Sequence, residues 1–182
     1  MSRKEIRIAG FGGQGIVLSG IIIGKAAAIF DNNFAALSQS YGPESRGGSC
    51  HAEIVISDEP IDYPYVIDPE VVVLLSQEAY NKFEKNLSEK ALVIVDPDFV
   101  KVDRSKKFKH VTIQAQRMAQ ELGRKVVANI IVVGFLAAKS DIISREALKK
   151  AVLDSVPAGT VDFNTKAFEL GYNYGIKSSP KK

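Results

Sequence analysis

The 182-residue chain has a single cysteine, Cys50, and that scarcity removes several classes of protein at once. A lone thiol forms no intrachain disulfide framework, and this chain alone supplies no cysteine-ligated zinc or iron–sulfur centre. No apolar run reaches the ~18 residues a membrane span needs. The richest stretch, Val126–Ala138, is interrupted by Asn129 and Gly134 and reads as core. Met1-Ser2-Arg3-Lys4-Glu5 leads straight into a strand with no signal-peptide core, which together with the lone thiol points to a reducing cytoplasm. Charge of one sign is scarce too. The formal net charge is +3, and much of the excess sits in Lys106, Lys107 and Lys109 and in Lys177, Lys181 and Lys182. A solvated basic tail of this kind argues against nucleic-acid recognition. Also missing are a P-loop Gly-Lys-Ser/Thr, a Gly-x-Ser-x-Gly elbow and a His-rich metal motif. The chain reads as a partner rather than a self-sufficient catalyst.

What is present is an ordinary globular balance, 46% hydrophobic and 25% charged, on a chain long enough to bury a core. Strand-like runs at Ile6–Ala9, Phe34–Ser38, His51–Ser57, Val71–Leu75, Leu92–Val95 and Val111–Ile113 are interleaved with helical patterns at Ile16–Phe30, Gln77–Leu87, Ala115–Leu122, Ala128–Lys139, Ser144–Leu153 and Asn164–Tyr174. This alternation predicts a Rossmann-like α/β fold: a mostly parallel sheet with helices on both faces and a helical C-terminal third. One domain is expected over residues 1–176 and a disordered basic tail over 177–182. Ile16–Phe30 is apolar almost all round and is expected to be buried on most faces, with Gly20 and Gly24 allowing close packing. Ser76 and Ser144 are expected helix caps.

Two segments carry candidate chemistry. Gly10-Phe11-Gly12-Gly13-Gln14-Gly15 has the spacing G-x-G-x-x-G between a strand and a helix, where glycines permit a tight turn and helix-start amides attract an anion. A dinucleotide site also needs an acid ending the second strand; here that strand ends in Ser38-Gln39-Ser40. A structural turn, a site for another anion and NAD or FAD binding all remain open on the motif alone. The second segment, Ser40–Ser49, combines Tyr41, Pro43, Glu44, Arg46 and the pair Gly47-Gly48. Arg46 suits a phosphate or carboxylate, or else pairs with Glu44 to stiffen the loop. Cys50 and His51, as neighbours on a strand, point to opposite faces and cannot act as nucleophile and base together. Asp96 and Asp98 flank Pro97 at a strand end, where capping and turn formation are the ordinary roles.

These segments, with Ile61-Asp62-Tyr63-Pro64, Ser76-Gln77-Glu78-Ala79-Tyr80, Val95-Asp96-Pro97-Asp98 and Asn164–Tyr172 in matching order, resemble the gamma subunit of 2-oxoacid:ferredoxin oxidoreductases, closest to the 2-oxoglutarate type. Pyruvate-type gamma subunits tend to carry a different version of the Tyr-Gly-Pro-Glu loop. The resemblance implies a non-autonomous subunit of a complex that converts a 2-oxoacid to its acyl-CoA and passes electrons to ferredoxin or a similar acceptor. Thiamine diphosphate and the iron–sulfur clusters would then sit on partner subunits, leaving no firmly bound cofactor and no catalytic residue on this chain. The expected site is an anion surface for the phosphates of coenzyme A, made by Gly10, Gly12, Gly13, Gln14 and Gly15 with Arg46, Gly47 and Gly48. The competing expectations are that both loops only dock partner subunits, or that the chain is a free-standing dinucleotide-binding regulator or dehydrogenase.

Overall fold

Six strands are hydrogen-bonded into one sheet: β1 (Lys4–Phe11), β2 (Phe34–Tyr41), β3 (Ser49–Ser57), β4 (Val71–Leu74), β5 (Leu92–Val95) and β6 (Lys109–Thr112). They lie in the order β2-β3-β1-β4-β5-β6 in a computed structural model that describes residues 3–42, 48–103 and 105–178. Val71-Val72-Val73-Leu74 is buried along its whole length, as a β-branched run covered on both faces should be. Its parallel registers, Ile6↔Val71 and Val71↔Leu92, place β1, β4 and β5 side by side at the centre.

Five strands point one way, and β3 alone runs against them, antiparallel to both β1 and β2. The expected alternation of strand and helix fails here, as it does among the described residues between β3 and β4 and between β5 and β6. Only the seven residues 42–48 separate β2 from β3, and so short a connection can return only antiparallel. Both strands also reach further into the Ser40–Ser49 segment than its polar composition suggests, pairing Ser40 with His51 and Tyr41 with Cys50.

The helices are α1 (Ile16–Lys25), continued by a π-helical turn through Ala26–Phe30, then α2 (Gln77–Phe83), α3 (Ala115–Glu121), α4 (Ala128–Lys139), α5 (Arg145–Ser155) and α6 (Val161–Lys177). They cover the sheet unequally. The larger core joins Ile6, Ile8, Ile54, Val73 and Ile94 to α1 and to α3 through α6. On the other face, Ala9, Val72, Leu74, Val93 and Val95 pack with Ala79 and Tyr80 of α2 and with Val100 and Phe108. Ser76 and Ser144 cap α2 and α5, accepting from Ala79 N and Ala147 N at 3.1 Å each.

The tightest helix contact is between α4 and α6, where Gly134 faces the Phe168 carbonyl and Gly171 faces the Ile131 carbonyl so closely that neither position has room for a Cβ. Gly20 likewise lies against Ala52 and Leu37, but a Cβ at Gly24 would touch nothing within 4 Å, so the small-residue pair on α1 is half packing and half open space. Nor is α1 buried on most faces. It sits near the β2 edge, and Leu18, Ile21 and Ile29 of the helix are exposed. Lys177, placed with the tail on composition, completes α6; residues 179–182 lie outside the described residues.

Candidate functional site

Because five strands share a direction, the carboxyl ends of β1, β2, β4 and β5 and the start of β3 lie along one edge of the sheet. The glycine turn leaves β1 at that edge. Gly13 and Gly15 have φ of 96° and 73°, a left-handed conformation open mainly to glycine. Gly15 is the N-cap of α1 and has no side-chain cap. The first intrahelical bond runs from Ser19 N to Gly15 O at 2.9 Å, so the amides of Ile16, Val17 and Leu18 are the first-turn donors that a helix leaves without an internal acceptor. This terminus has the polarity and donors for an anion.

The second candidate loop is rooted against the first. Gly12 N donates to Gly48 O at 2.9 Å, and Gly42 N donates to Ser49 O at 2.7 Å. Gly48 therefore touches the glycine turn directly. Glu44, Arg46 and Gly47 lie outside the described residues.

Gln14 has an internal task. Its Oε1 accepts from Phe11 N at 2.7 Å and its Nε2 donates to the Leu75 carbonyl at 3.0 Å. The amide thus straps the turn to the end of β4, at the point between β1 and β4 where the strand order reverses. In open α/β sheets that crevice is where ligands enter; here Gln14 occupies it, folded so far back that a Cβ on Gly10 would collide with its Oε1. The strand order adds a second obstacle to dinucleotide binding. β3, not β2, lies beside β1, so the second strand does not end next to the turn as the dinucleotide fingerprint requires.

Behind the turn stands Asn129, in the first turn of α4. It is 4% exposed, it packs so closely on Gly15 that a Cβ there would lie 2.6 Å from its Cγ, and its Nδ2 has no hydrogen-bond partner among the described residues. Sequence reasoning read Asn129 only as a break in an apolar run; a polar residue within a run otherwise fit for the core was the available signal.

Asp96, ending β5, is 1% exposed. Its carboxylate accepts from Asp98 N at 3.0 Å and from Gln116 N at 3.3 Å, while Asp98 holds Gln114 and Arg117. These are the expected turn and capping roles. Burial raises the Asp96 carboxyl above the usual carboxylate range, outweighing the backbone donors that pull it down. The folded chain then keeps the proton at pH values where the unfolded chain has released it. Asp96 therefore stabilises the fold most at acid pH, and that contribution is lost as pH rises from about 4 through the raised folded value. Asp96→Asn should flatten this part of the pH profile of urea unfolding.

Cys50 and His51 do point apart. Cys50 joins the larger core, while His51 meets the Phe83 ring edge-on at 5.3 Å on the opposite face. Burial first, then the Lys82 cation, lowers the His51 pKa. Elsewhere, an open groove of about 470 Å³ runs between α3 and α6, lined by Gln114, Arg117, Met118, Leu122, Leu170 and Tyr174. None of these residues belongs to the glycine turn. No described helix is long and apolar enough to cross a membrane.

The family model described as pyruvate ferredoxin/flavodoxin oxidoreductase matches residues 5–174, from within β1 to within α6. The chain belongs to that family. Within it, the chain is 50% identical to a 2-oxoglutarate synthase subunit KorC of Methanocaldococcus jannaschii over 93% of its own length and 92% of the relative's. It is 45% identical to the subunit of the same name from Methanothermobacter thermautotrophicus, covering 93% of each. Similarity to a pyruvate synthase subunit PorC of M. jannaschii is lower, at 33%, over 95% of this chain and 97% of that one. Among solved structures, the gamma subunit of a keto/oxoacid ferredoxin oxidoreductase from Geobacter sulfurreducens superposes with a TM-score of 0.88 at 38% identity, covering 97% of this chain and 98% of that one. The same fold recurs in a 2-oxoglutarate:ferredoxin oxidoreductase from Magnetococcus marinus, with a TM-score of 0.88 at 23% identity. That match covers all of this chain and 32% of the other. The resemblance read from the two glycine segments and the four others in matching order is thus borne out, and the free-standing dinucleotide-binding reading is not supported.

Proposed function

We propose that this chain is the gamma subunit of a 2-oxoglutarate synthase, a cytoplasmic component with no complete active site of its own. The assembly decarboxylates 2-oxoglutarate and joins the succinyl group to the thiol of coenzyme A. Carbon dioxide leaves, and two electrons pass to ferredoxin or a similar acceptor. The observation that carries this reading is the 50% identity to a named 2-oxoglutarate synthase subunit along nearly the full length of both chains. Thiamine diphosphate and the iron–sulfur clusters belong to the partner subunits in this account; with Cys50 buried as its only cysteine, this chain has no thiolate set to ligate a cluster.

The role assigned to this chain is to present an anion surface to the phosphates of coenzyme A. Its parts are the first-turn amides of α1, the backbone at Gly12, Gly13 and Gly15, and the loop of Arg46, Gly47 and Gly48. Three features support it: the left-handed glycines, the uncapped helix start, and the Gly12–Gly48 bond that brings the roots of the two loops together. Gln14 contributes by fixing the turn through its internal bonds.

Coenzyme A titration of the assembled complex, with wild type and with Arg46→Ala, tests the assignment. Loss of one charge-assisted phosphate contact should raise the Kd for coenzyme A about tenfold or more, with 2-oxoglutarate affinity unchanged. Unchanged coenzyme A affinity would remove Arg46 from the site. If Arg46→Ala instead weakens recovery of the complex, the loop is a docking element.

A further inference from the structure

At the opposite edge of the sheet, residues 58–70 connect β3 to β4 without a helix or strand, and connections of this length inside compact folds are uncommon unless they have a task. Asp58, Glu59, Asp62, Asp68 and Glu70 are acidic, no basic residue interrupts them, and Pro60, Pro64 and Pro69 are three of the seven prolines of a chain that is otherwise net positive. Three of its large apolar members are turned outward, Tyr63 and Tyr65 at 54% exposure each and Ile67 at 71%, while Ile61 and Val66 are half-buried. The two tyrosine rings meet edge to face at 5.4 Å.

The loop is held in this shape by the start of β1 and by Arg3 just before it. Arg3 donates to the carbonyls of Tyr63 and Tyr65 at 2.7 and 2.6 Å and to Glu5 at 2.6 Å. The Glu5 carboxylate accepts from Ile67 N at 2.5 Å and from Asp68 N at 2.7 Å, while Glu5 N donates to Glu70. Glu5 is itself 5% exposed. A carboxylate buried to this degree, and three prolines, spent on fixing a loop that turns Tyr63, Tyr65 and Ile67 to solvent, do nothing for a core. They do remove the ordering entropy of a contact made by those side chains.

We propose that this loop is a preformed docking knob for a neighbouring subunit of the oxidoreductase. Tyr63, Tyr65 and Ile67 fill an apolar pocket on that subunit, and the exposed carboxylates of Glu59, Asp62 and Asp68 face a rim of Lys and Arg, Glu70 being already paired with Lys4. Exposed Tyr residues on a rigid support are the usual anchors of such contacts, and the acidic loop selects a basic rim. The inference rests on the chain being a subunit of that assembly. The knob is also separate from the anion surface, since the eight residues of β1 put about 23 Å between the two ends of the sheet.

The test uses the full chain assembled with the subunits that co-elute with it. A photo-crosslinking aromatic residue replaces Tyr63, and Tyr63→Ser/Tyr65→Ser and Asp62→Lys are made alongside. Crosslinking to another subunit, at a segment rich in Lys or Arg, is expected. The double variant should bind the remaining subunits roughly thirtyfold more weakly, with an unchanged thermal midpoint, and Asp62→Lys should slow association most at low salt. An intact complex that gives no crosslink from position 63, a crosslink to a second copy of this chain, or unchanged affinity of the double variant would each overturn the proposal. A wild-type chain that assembles with no other subunit would overturn the subunit reading itself, and this inference with it.

Discussion

Gly171→Ala should destabilise the protein by at least about 3 kcal/mol, a fall of roughly 6–12 °C in thermal midpoint for a chain of this size. The added methyl would be driven into the Ile131 carbonyl and approach Phe135 N at 3.0 Å. These are backbone atoms of α4, so the collision is relieved only by moving one helix off the other. Gly134→Ala makes the reciprocal collision with the Phe168 carbonyl, and because both changes open the same α4–α6 contact, the double variant should lose less than the sum. Gly24→Ala is the control. That position is helical, it has no neighbour within 4 Å of a Cβ, and replacing Gly in a helix gains about 0.5–1 kcal/mol. Urea unfolding of the three single variants should give two large losses and one small gain.

Gly15→Ala should also destabilise strongly, by about 3 kcal/mol, because two costs add there: an L-residue at φ 73° and a methyl placed 2.6–2.8 Å from Asn129. Gly13→Ala separates strain from function. It too has positive φ, 96°, but a Cβ would meet nothing within 4 Å in the ligand-free chain. Its stability cost should be only about 1 kcal/mol. If phosphates of coenzyme A approach the turn, however, the methyl occupies their path, and coenzyme A affinity of the assembled complex should fall tenfold or more. Equal affinities for Gly13→Ala and wild type would take Gly13 out of the site.

Local structure was legible where one physical signal dominated. The continuous, largely β-branched runs at Val71 and Leu92 read as buried strands, Ser76 and Ser144 had the chemistry of caps, and a tight turn was implied by glycines placed between a strand and an apolar helix. The reversed direction of β3 was not legible, because residue pattern reports burial and not the sign of pairing. The hairpin was hidden inside a polar stretch whose ends, Ser40 and Ser49, proved to be strand. The α4–α6 seam was missed for a related reason: Gly134 and Gly171 are far apart in sequence, and only their meeting explains either. In the site, the glycine turn was read correctly as a turn. The strap from Gln14 to the Leu75 carbonyl depends on the parallel pairing of β1 and β4, and the Arg3 and Glu5 clamps depend on where the 58–70 connection crosses β1. Neither could be seen from spacing alone.

The central claim is that the chain works only as part of a 2-oxoglutarate synthase. Affinity purification of the tagged full chain from its native host, with mass-spectrometric identification of co-eluting chains and an acceptor-reduction assay on the same fractions, tests it most directly. Co-elution with thiamine diphosphate-binding and iron–sulfur subunits is expected, with acceptor reduction that requires both 2-oxoglutarate and coenzyme A. A chain that elutes alone with NAD(H) or FAD bound, or a complex that reduces the acceptor with another 2-oxoacid but not with 2-oxoglutarate, would contradict it.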